Sequence, residues 1–592
     1  MITDGHRLEL TAFSDKQTQK TRYTRFDPTT GTLQGVQGNV INKFGGINWI
    51  GTYTGQFTDW FTLSASYGRN KDRGIQVASP NTEFGLSRLV GCVPAPCETG
   101  TSSVAYGTVQ GAFADKDERR VWRVDADFYV DLFGSHHFRA GTDYETLRAE
   151  ELTTRAGGSG FSYDFRATQT RRRFYLNEGK FETNMRAVYL QDSWSLLNDR
   201  VNLQLGVRGD KFRNYSVTGA LYYDSGYNWA PRLGATIDVF GDKKTKLNLF
   251  YGRYFLPIAT NTNIRLGGRE LFFEQRQNYA ATSDLNGDGV PDIFTFDANG
   301  NINNFTANSG SATCPAGTPA AGQICRTIFS DGIAGPTDTL VSSTLKPSET
   351  DEIIVGVSHR FGNGWSAGVD YVRRRLLETL EDVAVDAAVL AYCADNGITG
   401  CSSVFTGYHQ YVLANPGSDI TVRLDGDCSI AGQCDVVTLK KEDLGYPKAV
   451  RKYDAVQFTL DKAYNGFYSF NANYVYTKLR GNFEGGVKSD NNQTDTGLTQ
   501  DFDQPGFVDG AYGDLANGRK HAFKLYGRVT PVKGVDVGIN AVLESPRKFS
   551  CIGPYNNDNT NFAYYYGAAS YYCRQPEFGG DPTTPVGGGT GS

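Results

Sequence analysis

Methionine is almost missing from this 592-residue chain, with two in all, and no run of about 18 apolar residues occurs anywhere. The second absence excludes a transmembrane helix. It does not exclude a membrane, because a membrane barrel needs only alternating apolar residues and its average hydropathy can look soluble. A surplus of one charge is lacking too: 59 Lys and Arg stand against 64 Asp and Glu, and nothing points to nucleic acid as a partner. Histidines number only six, none beside a cysteine, and no cysteines have C-x-x-C spacing, which argues against zinc. No Ser/His/Asp, P-loop or HExxH arrangement occurs, so an enzyme is not expected. The opening Met1–His6 has neither a basic start nor an apolar stretch, so no signal peptide is expected.

What is plentiful is glycine (69), phenylalanine (36) and tyrosine (34), a composition that suits strands and turns. The ten cysteines fall as five close pairs, each in a long polar connection. The pairs are Cys92 with Cys97, Cys314 with Cys325, Cys393 with Cys401, Cys428 with Cys434, and Cys551 with Cys573. Close pairs confined to loops read as disulfides, and disulfides persist in oxidising compartments, so the chain is expected to be exported.

Period-two alternation recurs along the chain. Trp122, Val124, Ala126, Phe128 and Val130 are interleaved with Arg123, Asp125, Asp127 and Tyr129. Val201, Leu203, Leu205 and Val207 repeat the pattern, as do Tyr468 to Tyr476 and Val535 to Ala541. Such segments are strands with one apolar and one wet face. Seven hairpins follow, near 43–57/60–77, 116–131/136–152, 183–197/200–214, 232–240/246–257, 350–361/365–379, 451–462/467–481 and 519–530/535–547, with a single strand near 6–15 before them. Their turns, among them Asn198-Asp199-Arg200, Gly362-Asn363-Gly364 and Asn465-Gly466, carry turn chemistry. Between hairpins the chain wanders through long connections rich in Gly, Asn, Asp, Ser and Thr.

Short turns at one end and long loops at the other are the asymmetry of an outer-membrane barrel, whose long loops face outward. Aromatics flanking the short turns (Phe57, Trp60, Phe61, Phe133, Phe138, Trp194, Phe240, Phe361, Trp365, Tyr464, Phe467) fit the headgroup level of a membrane. The expected fold is an all-β transmembrane antiparallel β-barrel. About fifteen strands is an odd count, whereas bacterial single-chain barrels are even-numbered and closed, so residues 1–592 are expected to be part of a barrel.

The pattern resembles the barrel of TonB-dependent outer-membrane receptors, most closely the Oar-like subgroup. Asn228-Trp229-Ala230-Pro231-Arg232-Leu233-Gly234 looks like that group's entry into a middle strand, and Phe250-Tyr251-Gly252-Arg253-Tyr254-Phe255 like the return strand. Leu345-Lys346-Pro347-Ser348-Glu349-Thr350, then Glu352-Ile353-Ile354-Val355-Gly356, resembles the strand entered after a long outer loop, and Tyr371-Val372-Arg373-Arg374-Arg375 fits the next. The resemblance implies a 22-stranded barrel in the outer membrane of a Gram-negative bacterium, an N-terminal plug and a segment touching TonB. Plug, signal peptide and closing C-terminal strands are not found in this sequence. The implied activity is binding and energised uptake of a scarce solute of the siderophore, saccharide or peptide class. The implied partners are outer-membrane lipid and lipopolysaccharide, that solute, and the TonB complex through an N-terminal part. A passive porin-like barrel and a secreted β-rich adhesin or carbohydrate-binding protein are the alternatives.

The sharpest local motif is Asp284-Leu285-Asn286-Gly287-Asp288-Gly289-Val290-Pro291-Asp292. Asp284, Asn286, Asp288 and Asp292 place oxygens at positions one, three, five and nine of a calcium loop, with Gly289 at six, while position twelve is Thr295 in place of Glu. A structural Ca²⁺ and a plain Asp/Asn/Gly turn are both consistent with it; no other cofactor is indicated. Arg171-Arg172-Arg173 and Arg373-Arg374-Arg375 are expected to be strand-end and interior charges. His136 and His137, adjacent on a strand, should point to opposite faces rather than share a metal. Loop aromatics such as Tyr222, Tyr223, Tyr227 and Trp229, or Tyr564, Tyr565 and Tyr566, are suited either to stacking on a ligand or to packing the loops.

Overall fold

A computed structural model describes every residue except 1–3, 28–30, 80–87, 91–102, 106–110, 156–160, 166–168, 279–291, 296–303, 305–325, 408, 490–496, 498, 509–510 and 549–592. Fifteen strands build one wall: β1 (His6–Ser14), β2 (Ile47–Thr58), β3 (Phe61–Ser79), β4 (Gly111–Asp131), β5 (Ser135–Arg155), β6 (Gln169–Leu196), β7 (Val201–Tyr215) and β8 (Asn228–Asp238). It continues through β9 (Thr245–Leu256), β10 (Ser348–Gly362), β11 (Trp365–Glu378), β12 (Arg451–Lys462), β13 (Tyr468–Gly481), β14 (His521–Val532) and β15 (Val535–Glu544). Each pairs antiparallel with the next in chain order. All seven expected hairpins are present. Among the described residues no ladder joins β1 to β15, so both remain edges of the sheet.

The short turns bear out their chemistry. Asn198 (φ 55°), Asp199 (φ 64°), Asn363 (φ 49°), Gly364 (φ 75°), Gly466 (φ 95°) and Gly534 (φ 87°) all adopt the left-handed conformation that tight hairpins require. At the sixth hairpin Asn465 Oδ1 also accepts the amides of Phe467 (3.0 Å) and Tyr468 (2.9 Å).

Register carries the alternation around the wall. Leu190 pairs with Ala140 and Val207, Leu233 with Leu205 and Tyr251, Val355 with Leu249 and Tyr371, and Phe458 with Val369 and Tyr474. These positions form a continuous outward apolar belt, and Leu190, Phe458 and Val537 are 53%, 46% and 56% exposed. Exposure on this scale across an entire sheet face is the signature of a lipid contact. Many of the intervening positions are polar and paired. Arg123 Nε donates to Asp125 (2.8 Å), His137 bonds Asp127 (2.7 Å), and Arg208 reaches Asp143 (3.0 Å).

The wall runs further toward the loops than the alternation indicates. β6 has 28 residues, whereas about 10 suffice to cross a bilayer. Its upper part, Gln169–Leu176, pairs with Leu271–Asn278 inside the 258–349 connection. Residues 17–27 and 32–44, which but for 43 and 44 lie outside the expected hairpins, continue β1 and β2 as a further ladder. Nothing apolar alternates in Gln17-Thr18-Gln19-Lys20-Thr21-Arg22, because above the lipid both faces meet water and no pattern is imposed.

The break between these ladders is built on two glycines. Gly45 has φ +74°, and a Cβ on Gly46 would lie 1.8 Å from the Lys71 carbonyl oxygen. Asp15 Oδ1 accepts the Gly46 amide (2.8 Å) and Asp72 Oδ1 accepts that of Gly45 (3.0 Å), so the interruption is fully hydrogen-bonded.

Candidate solute-binding face

The long connections at the loop end do not wander. Residues 380–450 fold into two small antiparallel pairs, Glu381–Ala384 with Tyr411–Ala414 and Ile420–Arg423 with Val436–Leu439. Helices Asp386–Asp395, Cys401–Val404 and Lys441–Leu444 pack on them. Val383, Val389, Phe405, Val412, Ile420 and Leu424 are buried in their common core, which Phe483, Phe502 and Val508 of the 482–518 connection complete. The segment closes its core with contacts across up to about a hundred residues, and no local period marks it.

Two expected disulfides sit in this cap: Cys393–Cys401 and Cys428–Cys434, with Cα separations of 6.6 and 5.2 Å. The first is buried in the cap core, joining two helices. The other three expected pairs lie outside the described residues: Cys92 and Cys97, Cys314 and Cys325, and Cys551 and Cys573. Asp284, Asn286 and Asp288 of the calcium motif also lie outside them, as do Tyr564, Tyr565 and Tyr566. Asp292 is described and is exposed.

The cap is bolted to the wall at two places. An apolar seam joins Phe212 of β7 to Ile258, Val341, Leu345, Leu380 and Leu413. Beside it, helix Thr260–Gly267 lies against the inner side of β6 and β7 through three buried polar side chains. Asn214 Nδ2 donates to Thr183 Oγ1 (3.0 Å) and Asn263 Oδ1 (2.9 Å), and Asn263 Nδ2 donates to Thr183 Oγ1 (2.8 Å). All three are fully buried. Tyr222 bonds Asn263 and Tyr223 is buried in the seam, so these two loop tyrosines pack the loops. Tyr227 instead stacks on the outward Trp229.

Within the cap, charge is handled by pairing or by neutralisation. Lys488 and Asp501 form a buried ion pair. Arg423 holds the Asp338 carboxyl below the usual carboxylate range through a hydrogen bond of 2.7 Å. Glu381 is fully buried, and burial pushes its carboxyl well above the ordinary value. Its Oε2 accepts the Thr499 amide (2.7 Å), while Oε1 has no hydrogen-bond partner.

Two cavities lie along the wall. One of about 880 Å³ is lined by residues of both faces of β3–β6, among them Asp72, Asp117, Ala149 and Phe181 on the inward side and Lys71, Arg73, Lys116, Arg148 and Lys180 on the outward side, and by Val217 and Thr218 of the following turn. A second, of about 480 Å³, is lined by Arg123, Tyr189, Gln191, Gln204, Arg208, Arg232 and Phe250, all inward. Arg232 lies 5.0 Å over the Tyr254 ring. These volumes suit a small solute, and the lining mixes cations, amides and rings that bind polar groups. The sequence motifs holding Arg232 and Phe250 marked barrel strands. That these residues share a cavity with Arg123 and Tyr189 depends on register across six strands, β4 to β9. Among the described residues no cluster of three or more His, Cys, Asp or Glu side chains is arranged to hold a metal.

The remaining candidates fall as follows. His136 bonds Asp192 on the outer face and His137 bonds Asp127 on the inner, so the pair splits as expected. Arg374 turns inward to Glu352 and Arg375 outward to Asp454 (2.7 Å). Arg172 reaches Gln275 and Arg173 reaches Glu274 (3.2 Å).

An antiparallel sheet with a lipid-exposed apolar belt, a polar interior, short turns at one end and a folded cap at the other defines an integral β-barrel wall of the Gram-negative outer membrane. The chain belongs to the family described as the outer membrane beta barrel domain, whose model matches residues 211–534. It is similar to the TonB-dependent transporter Oar of Myxococcus xanthus, at 26% identity over 434 residues, 68% of this chain and 35% of that protein. The chain thus spans about a third of the length of that relative. It is also similar in fold to the outer membrane transporter YddB of Escherichia coli, with a TM-score of 0.52 at 13% identity, covering 94% of this chain and 57% of that one. The expected likeness to the barrels of TonB-dependent receptors therefore holds.

Proposed function

We propose that this chain forms the membrane wall and outer cap of a receptor that captures a scarce solute and imports it with energy from TonB. One observation carries the reading: a disulfide-braced cap is packed on a wall that carries cavities of solute size and whose sequence is similar to a TonB-dependent transporter. The cap's inner surface would select the solute, and the arginines and rings beneath it would hold it before release inward. The solute is of the siderophore, saccharide or peptide class. In the same reading, residues 284–292 brace the 258–349 connection with a structural Ca²⁺.

Deleting the gene from its host tests this. Accumulation of ferric siderophores, oligosaccharides and oligopeptides is compared between parent, deletion and complemented strains. One class should lose high-affinity uptake in the deletion strain, and the same uptake should stop in the parent when TonB is removed. Entry of all three classes regardless of TonB would mean a passive pore instead.

A further inference from the structure

On the inward face of β6–β8, one niche of the 480 Å³ cavity is floored by a glycine. Gly206 of β7 pairs with Gln191 of β6 on one side and with Arg232 of β8 on the other. Gln204 and Arg208 stand two residues from Gly206 in either direction along β7. Their side chains therefore share its face. A Cβ on Gly206 would meet the Gln191 Cβ at 3.4 Å, with backbone oxygens next nearest, so the space over this glycine is open. With strands about 4.8 Å apart and about 3.4 Å per residue, the four side chains frame an area of about 10 by 13 Å.

The charges around this niche are balanced, with one exception. Arg208 is divided between Asp143 (3.0 Å) and Asp210 (2.8 Å). Arg123 holds Asp125 (2.8 Å) and donates to the Tyr189 hydroxyl (2.7 Å). Arg374, further round the inward face, is held by Glu352. Arg232 lies against the Tyr254 ring but, among the described residues, its side chain makes no hydrogen bond or ion pair. The Gln191 and Gln204 side chains make none either. All three are exposed to the lumen. The niche thus offers one uncompensated positive charge, a free guanidinium fork on one wall and free amide donors on two others.

We propose that this niche binds a carboxylate of the imported solute, with Arg232 as the residue that selects for it. The guanidinium fork matches two oxygens held in one plane, as in a carboxylate. One free positive charge suits a group of one negative charge, because Arg208 is already committed to two carboxylates. The Gln191 and Gln204 amides flank the same space and are placed to donate to the same oxygens. A neutral solute of equal size gains nothing from Arg232. The assignment rests on the import reading above and narrows its solute to one that bears an acid.

The test uses the full chain folded in detergent, with N-acetyl-alanyl-alanine and its C-terminal amide as probes that differ only in charge. Saturation transfer from protein to probe is read by NMR over a concentration series. The acid should bind, and the amide at least about ten-fold more weakly, the scale of one charged hydrogen-bonded contact. Arg232→Gln should weaken the acid by the same factor and leave the amide unchanged. Gly206→Leu should abolish acid binding by filling the niche with Arg232 still present. Lys533→Gln, which removes a cation between β14 and β15, should change nothing. Equal binding of acid and amide, or acid binding indifferent to Arg232→Gln and Gly206→Leu, would overturn the assignment. The heat-modifiable gel shift reports whether each variant folds, and the acid–amide comparison on the unaltered chain still discriminates if one does not. No TonB is present in this measurement. Acid binding through Arg232, beside cellular uptake that ignores TonB, would uphold the niche and overturn only the import reading.

Discussion

Glu381 shows how a single residue sets the behaviour of the cap. It sits fully buried near Asp382, Asp501 and Asp503, with the Lys488 ammonium committed to Asp501. Burial first, and these carboxylates next, keep its proton on well above the ordinary carboxylate pKa of 4.5. In an opened cap that proton leaves near the ordinary value. Between the two values opening releases a proton, so cap stability falls as pH rises from about 4.5 toward the folded value. Glu381→Gln should remove this slope and protect the cap at neutral and alkaline pH. Hydrogen exchange of residues 379–450 against pH would show it; an unchanged slope in the variant would place the titration elsewhere. Asn214 offers a second residue-scale test. Asn214→Ala leaves Thr183 and Asn263 short of partners in a dry site, which should cost about 1–3 kcal/mol. The loss should appear as faster proteolysis of the 258–270 segment, with the wall intact.

At the scale of elements, cap and wall should come apart under different conditions. Cys393–Cys401 and Cys428–Cys434 close loops of only 8 and 6 residues in separation, so each stabilises its own neighbourhood by about 2–3 kcal/mol or less. Reduction should expose the 380–450 segment to protease while the heat-modifiable gel shift of the folded wall persists. An impermeant thiol reagent on intact cells should label these four cysteines only after reduction. Adding Ca²⁺ should slow cleavage within 279–303, and Asp288→Ala should abolish that protection; cleavage indifferent to Ca²⁺ would leave the motif a simple turn.

For the whole molecule, alternation around the wall makes adjacent residues unequal. Leu190 faces the belt and Gln191 the 480 Å³ cavity, one peptide bond apart. Leu190→Arg should cost about 2–4 kcal/mol of stability in a bilayer, whereas Gln191→Arg should cost far less and alter permeation or binding instead. Urea titrations in lipid would separate the two, and equal costs would mean that the face assignment is wrong.

The wall is already written in the order of the amino acids. Hydrocarbon accepts only alternate apolar residues and a fully paired backbone, so lipid prints a period of two on each crossing segment, and tight turns print Asn, Asp and Gly between them. Fifteen strands, their hairpin partners and the outward end were therefore legible one segment at a time. What lies beyond the lipid is settled by folding. There, water satisfies either face of a strand, so the extension of β6 and the 17–44 ladder left no period to read. The cap core, the Asn214–Thr183–Asn263 knot and the cavities each join residues from distant segments. Their chemistry exists only once register and folding bring those segments side by side.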